Sequence, residues 1–260
     1  MPYAPFNLSG KVALVTGGNR GIGWGMAEAL AQAGADVAVW GRDQAANEQA
    51  EQKLRAHGVR AKGYRVDVAD EHAVAAAMTQ TVEDFGRVDS VFANSGIGGG
   101  GMPFSKFPTD VYRRVLSVNL DGVFFTFREA CKHITARAAK GDGGGSLVGV
   151  ASLAAIEGAA RNEAYAATKG AVISMIRSIA VEHARFGVRA NAILPGWIAT
   201  DMTAGAQSSS AFAEKVIPRV PMRRWGEPTD FGGVAVYLAS DASRYHSGDT
   251  FVIDGGYAVF

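Results

Sequence analysis

Tyr165 and Lys169 stand four residues apart in the segment Glu163-Ala-Tyr-Ala-Ala-Thr-Lys-Gly-Ala, and Ser152 lies thirteen residues upstream at the end of an apolar run. On a helix, residues i and i+4 share a face, so the phenol and the ammonium would be neighbours. A lysine charge held beside a phenol favours the phenolate and would bring its proton exchange toward neutral pH, down from the usual value of about 10. A serine hydroxyl brought to the same point can hold a carbonyl or alcohol oxygen, which makes the trio a candidate acid/base site. Solvated surface pairs have the same spacing, so the elements that carry these residues decide between the two readings.

Those elements alternate. Apolar runs at 12–16, 37–40, 61–66, 88–93, 146–150, 188–193 and 250–253 read as strands. Segments of helical period fill the gaps at 21–33, from the early forties to about 57, and at about 70–85, 109–138, 162–185 and 229–239. Continuous apolar strands between helices predict a parallel sheet covered on both faces, joined by right-handed crossovers. No Pro/Ser-rich linker divides the 260 residues, so we expect a single doubly wound α/β domain. The glycine run at 98–101 and the stretch 201–225 break the rhythm, and the second is expected to form a flap over the site.

Composition narrows the function classes. With 48% hydrophobic and 20% charged residues the chain is ordinary globular material, and a formal net charge of +1 gives no footing for nucleic acid. The single cysteine, Cys131, excludes an internal disulfide and a cysteine zinc site; it is expected in the core, and no metal site is expected. Residues 1–10 lack a basic segment followed by an apolar one, and no apolar run approaches the ~20 residues of a membrane span, so the expected location is cytoplasmic, away from membranes.

Between the first strand and the first helix lies Thr16-Gly17-Gly18-Asn19-Arg20-Gly21-Ile22-Gly23. Glycines at 17, 21 and 23 suit a tight turn, close approach of backbone to a pyrophosphate, and close packing of helix on strand, with the phosphate at the helix N-terminus. The second strand ends Val39-Trp40-Gly41-Arg42-Asp43. An acid at that strand end would accept from a ribose 2′-OH and select NAD, whereas a basic residue accommodates a 2′-phosphate. Arg42, with Arg20 as a second positive charge, points to NADP(H) over NAD(H); the competing arrangement leaves Arg42 solvated and gives the ribose to Asp43.

With the glycine turn, Asn94-Ser95-Gly96, Asn119, Ser152, Tyr165, Lys169 and Pro195-Gly196 in this order and spacing, residues 8–257 resemble the short-chain dehydrogenase/reductase family. The resemblance implies a Rossmann fold with a seven-stranded parallel sheet flanked by helices, the site at the carboxyl ends of the strands, and an NAD(P)-dependent enzyme acting on CH–OH groups. It implies that Asp67 and Val68 contact the adenine, and that Asn94, Ser95 and Gly96 line the cofactor cleft, with Ser95 in place of the usual small apolar residue. Asn119 matches the position that holds a proton-relaying water. Ser152 would orient the substrate oxygen and Tyr165 would be acid and base, while Lys169 would bind the nicotinamide ribose and depress the tyrosine pKa. Pro195, Gly196, the backbone at Ile198 and the Thr200 hydroxyl would hold the carboxamide.

Substrate identity is expected to depend on the loops: residues 98–102, Ala154, Ala155, Ile156, Glu157, Asn162, Trp197 and the 201–225 stretch. The partner is a small carbonyl or alcohol, whether sugar, cyclic ketone or steroid. Relatives that reduce 3-oxoacyl groups on acyl carrier protein often carry a basic residue just before Gly187; this chain has Phe186 there, with Arg185 and Lys140 nearby. An enoyl reductase would space the tyrosine and lysine differently, and a non-catalytic NADP-binding regulator would be expected to lose one of the four site residues. The family commonly assembles through its two long central helices and its C-terminal strand region, which implies a homotetramer.

Overall fold

The computed structural model describes residues 3–260. Seven strands form one sheet: β1 (Val12–Thr16), β2 (Asp36–Gly41), β3 (Ala61–Arg65), β4 (Ser90–Ala93), β5 (Gly145–Val150), β6 (Val188–Pro195) and β7 (Thr250–Ile253). Their order across the sheet is β3-β2-β1-β4-β5-β6-β7, with every pair parallel. The chain therefore winds outward from β1 in one direction, returns, and winds outward from β4 in the other. The β1/β4 boundary is the switch point at which an open α/β sheet leaves a crevice beyond its strand ends.

Both sheet faces are buried, as near-continuous apolar strands require. In β1, Val12 and Leu14 pack on one side with α3 (Glu71–Phe85), α5 (Gly122–Ala138) and α6 (Glu163–Glu182). Ala13 and Val15 pack on the other with α1 (Gly21–Gln32), α2 (Gln44–Arg55) and α9 (Gly232–Ala239). The alternation is the two-residue period of the strand acting on a two-sided core. Trp40, fully buried in β2, satisfies its one donor by a 3.1 Å hydrogen bond from Nε1 to Thr81 Oγ1. Its burial removes a large aromatic surface from water without leaving an orphan N–H.

Helix boundaries follow capping chemistry. Asp43 and Asp70 accept from the main-chain N–H groups of Ala46 and Ala73 and so start α2 and α3, and α3 stops at Gly86 in the left-handed region. One expectation needs correction. The segment 109–138 is not a single helix: α4 (Thr109–Leu116) and α5 are joined by a π turn over Ser117–Asp121, and Asn119 sits in it. The extra residue in such a turn re-aims the side chains that follow, and π turns concentrate at functional sites. The segment predicted at 162–185 also ends earlier as α-helix, with a 3-10 turn over Ala184–Phe186.

Residues 201–225 fold into two short helices, α7 (Ala204–Gln207) and α8 (Ser210–Val216), with 3-10 turns on either side. Aromatic side chains hold this segment against the strand ends. Trp197 lies edge-on to Phe212 at 4.9 Å between ring centres, and Trp225 stacks on Phe212 at 6.2 Å. Val216 and Val220 bury with Leu153 and Tyr257 in a small separate core. Among the described residues no helix is long and apolar enough to cross a membrane.

Candidate active site

A cleft of about 1180 Å³ opens at the carboxyl ends of the strands, and it brings the glycine turn together with Ser152, Tyr165 and Lys169. The floor is built by hydrogen bonds between segments distant in sequence. Thr16 Oγ1 accepts from the backbone N–H groups of Asn94 and Ser95 at 3.0 and 2.9 Å, and Asn94 Nδ2 donates back to Thr16 O at 2.9 Å. These bonds fasten the ends of β1 and β4 across the switch point. Thr16 is thus buried beneath the cleft, not lining it.

Two glycines of the turn are required by geometry. Gly17 has φ +64°, and a Cβ there would stand 2.9 Å from Asn94 Nδ2; at Gly23 a Cβ would stand 2.2 Å from Gly17 O. The first lets the chain turn sharply; the second lets α1 pack directly on the turn, below the cleft wall. Gly17, Asn19, Arg20, Gly21 and Ile22 line the cleft. Arg20 precedes α1 without offering a side-chain cap, so main-chain N–H groups of the first helical turn are left for an anion. Together these features fit the pyrophosphate of a dinucleotide.

The strand-end region of β2 contains a residue that sequence reasoning missed. Asn47, fully buried, donates from Nδ2 to Gly41 O and Tyr64 O, both at 2.9 Å, and accepts from Asn19 Nδ2 at 2.7 Å. It ties α2, β2, β3 and the glycine turn at one point. The available signal was its place on the buried i, i+3, i+7 stripe with Ala50 and Leu54. Its presence leaves no room for a side chain at Gly41, where a Cβ would lie 2.5 Å from Asn47 Oδ1 and 2.6 Å from Asn19 Nδ2. Arg42 is exposed and lines the cleft, while the Asp43 carboxylate is engaged as the α2 cap. Asp67 and Val68 line the same end, and Asp67 Oδ1 also accepts from Ala69 N at 3.1 Å.

On the catalytic side, Lys169 is 3% exposed and donates from Nζ to Val150 O at 2.8 Å. Burial lowers its pKa to about 8. The Tyr165 ring lies beneath it, 5.4 Å from Nζ to the ring centre. The expected depression of the tyrosine is not what this arrangement produces: burial raises the Tyr165 pKa, and the neighbouring Ser152 hydroxyl only partly pulls it back. Desolvation disfavours both charged forms, and it is the leading cause of the shift at each group. Ser152 Oγ accepts from Ala154 N at 3.2 Å, which orients the hydroxyl.

Asn119 is fully buried, and its carboxamide clasps the Ile97 backbone: Oδ1 accepts from Ile97 N at 2.8 Å and Nδ2 donates to Ile97 O at 2.9 Å, with a longer bond from Nδ2 to Thr168 Oγ1 at 3.5 Å. A Cβ on Gly96 would lie 3.4 Å from Asn119 Oδ1 and 3.5 Å from Lys169 Nζ, so the two side chains close on the same glycine. The Asn119 side chain thus positions the loop after β4, and its amide is already committed to that role. Ser95, Gly96, Pro195, Gly196, Ile198 and Thr200 all line the cleft. Gly196 passes so close to Asp254 that a Cβ would stand 2.6 Å from that residue's Cβ.

The substrate half is lined by Gly98, Gly99, Gly100, Met102, Ala154, Glu157, Asn162 and Trp197. Of the predicted liners, Gly101, Ala155 and Ile156 stand outside the cleft wall, and Ile156 is turned to solvent. It follows the 3-10 turn Leu153–Ala155, which directs Leu153 inward and leaves Ile156 to solvent. Trp197 lines the cleft and also packs on Phe212 and Trp225. From the 201–225 stretch, Asp201, Met202 and Thr203 reach the cleft.

Comparison with known proteins agrees with this geometry. Residues 17–258 match a family model described as enoyl-(acyl carrier protein) reductase. A 2-dehydro-3-deoxy-D-gluconate 5-dehydrogenase of Pseudoalteromonas atlantica is 38% identical over 97% of both chains. A gluconate 5-dehydrogenase of Burkholderia cenocepacia, solved with NADP and tartrate, superimposes with a TM-score of 0.93 at 32% identity over 98% of both chains. An NAD⁺-bound xylitol dehydrogenase gives 0.89 at 32% identity over 96% of this chain and 99% of its own.

Proposed function

The chain belongs to the short-chain dehydrogenase/reductase family, and from that premise we propose that it is an NADP(H)-dependent oxidoreductase that interconverts a carbonyl and a secondary alcohol, with Tyr165 as acid and base. The observation that carries this reading is the convergence of Ser152, Tyr165 and Lys169 on one wall of a cleft whose other end is the glycine turn. The nicotinamide nucleotide, when bound, supplies or accepts the hydride. The residues of this chain place the substrate and move the proton. Ser152 holds the substrate oxygen, and Tyr165, kept protonated by burial, donates to that oxygen as negative charge develops on it in reduction. In oxidation the substrate hydroxyl gives its proton to the Tyr165 oxygen, which must first be deprotonated to accept it. Lys169 binds the nicotinamide ribose and keeps positive charge beside the phenol, and Asn119 fixes the Ile97 backbone that borders both.

For the cofactor, Gly41 without a side chain, Arg42 at the cleft and Asp43 held as a helix cap favour a 2′-phosphate over a free 2′-OH. The relatives' names make sugar acids and polyols the favoured substrates. The family model's description favours a second reading, reduction of an acyl thioester. The lone cysteine, buried with its thiol pKa pushed up to about 11, suits a reducing cytoplasm. The groove between α5 and α6, lined by Phe124, Met175 and Ile179, supports assembly through those helices into a homotetramer. Absorbance at 340 nm with NADPH or NADH and a panel of keto-sugars, ketones, 3-oxoacyl and enoyl thioesters tests the reading. Turnover of enoyl thioesters alone, or of nothing, rejects it.

A further inference from the structure

Glu157 lines the substrate half of the cleft, a few residues after Ser152. Its main-chain N–H donates to Leu153 O at 2.8 Å, which fastens it to the turn that follows Ser152. The residue is half-buried, and among the described residues its carboxylate has neither a hydrogen-bond donor nor an ion-pair partner. A carboxylate partly withdrawn from water and left without a donor favours a ligand that brings one.

The cations of the cleft are elsewhere. Arg20 and Arg42 line the dinucleotide end, and Lys169 is buried at the catalytic wall with its ammonium bonded to Val150 O. Arg161 is exposed and does not reach the cleft wall. Asp201, the other acid on this side, faces Arg20 at 3.9 Å with both side chains mostly exposed, a pair too solvated to hold either charge in place. One feature of the substrate half could still draw an anion, the positive N-terminal end of α6. The chain supplies that negative charge itself: Glu163 stands in the first helical turn, with Oε1 accepting from Arg161 N at 3.0 Å and Oε2 buried without a partner among the described residues.

We propose that Glu157 sets the charge selectivity of the cleft: its carboxylate accepts from the hydroxyls of an uncharged ketose or polyol and repels the counterpart that carries a carboxylate. This rests on the reading of the cleft as a carbonyl/alcohol oxidoreductase site, and it narrows the substrate class from sugar acids and polyols to polyols and their ketoses. A second negative charge brought to within about 8 Å of a half-buried carboxylate weakens binding by roughly tenfold.

L-sorbose and 5-keto-D-gluconate isolate the charge, because they differ only in a carboxylate on the second where the first has a CH2OH. Both are assayed with NADPH as substrates, and as inhibitors of whichever ketone is reduced fastest, in wild type, Glu157→Gln and Glu157→Lys. Wild type is expected to favour L-sorbose, with the preference falling about tenfold in Glu157→Gln and further in Glu157→Lys. Raising KCl from about 20 to about 500 mM should weaken the preference of wild type and leave that of Glu157→Gln unchanged, a response that a merely structural role would not produce. The wild-type salt response decides the matter by itself where a variant fails to fold. A preference untouched by salt or by Glu157→Gln, a wild type that favours 5-keto-D-gluconate, or binding of neither compound overturns the proposal. Failure to reduce any carbonyl at all strikes instead at the functional reading beneath it.

Discussion

The ammonium nitrogen of Lys169 stands 5.4 Å from the centre of the Tyr165 ring, and burial drives the two groups toward opposite ends of the pH scale, lysine down to about 8 and tyrosine up. Both shifts favour neutral side chains. At neutral pH the lysine is still mostly charged and the phenol fully protonated, the state from which a proton can be given to a developing alkoxide.

The first prediction concerns the phenol. Tyr165→Phe keeps the ring and removes the proton, and should lower kcat by about 10²–10⁴-fold with the NADPH dissociation constant nearly unchanged. Stopped-flow turnover alongside fluorescence titration separates the two; retained activity would show that another group supplies the proton.

Lys169 gives a pH signature. Its folded pKa lies below the unfolded value, so between about 8 and 10.5 the unfolded chain binds more protons and stability rises with pH. Lys169→Met lacks this gain. The stability advantage of the variant over wild type should therefore shrink by roughly 2–3 kcal/mol from pH 7 to pH 10, read by urea denaturation. A difference independent of pH would mean that Lys169 is not desolvated.

Arg42 should set cofactor preference. Arg42→Ala is expected to weaken NADPH binding by about 10- to 100-fold while leaving NADH within about twofold, as loss of one charge-assisted contact to phosphate requires. Equal losses for both nucleotides would place Arg42 elsewhere.

Asn47 offers a test of how the glycine turn is held. Asn47→Ala strands the carbonyls of Gly41 and Tyr64 and frees Asn19, and should cost about 2–4 kcal/mol of stability together with dinucleotide affinity. Urea midpoints and NADPH titration on the same sample report both.

Assembly is checked by light scattering. A tetramer is expected for wild type, and Ile179→Glu, which puts a charge into the α5/α6 groove, should dissociate it. A monomeric wild type refutes the packing role of those helices.

Much of this site is legible in the sequence because it depends on local spacing. The i, i+4 separation places Tyr165 and Lys169 on one helical face, and apolar runs followed by glycine put the turn at a strand end. The alternation of strands and helices dictates a parallel sheet whose carboxyl edge carries both. Those features survive any detail of packing, and each is found where the spacing puts it.

Tertiary structure decided what depends on groups remote in the chain. Asn47 bonds to Asn19 across 28 residues, and Asn94 to Thr16 across 78. The Asn119 amide is committed to Ile97, Ile156 turns out to solvent, and a π turn interrupts the helix read as continuous. The protonation state of Tyr165 belongs to the same class: the i, i+4 spacing supplies a neighbouring charge, but only the folded chain fixes how much water is lost around it. Desolvation and the choice of hydrogen-bond partner are properties of the assembled core, and here they reversed the pKa shift that the Tyr165–Lys169 spacing alone implies.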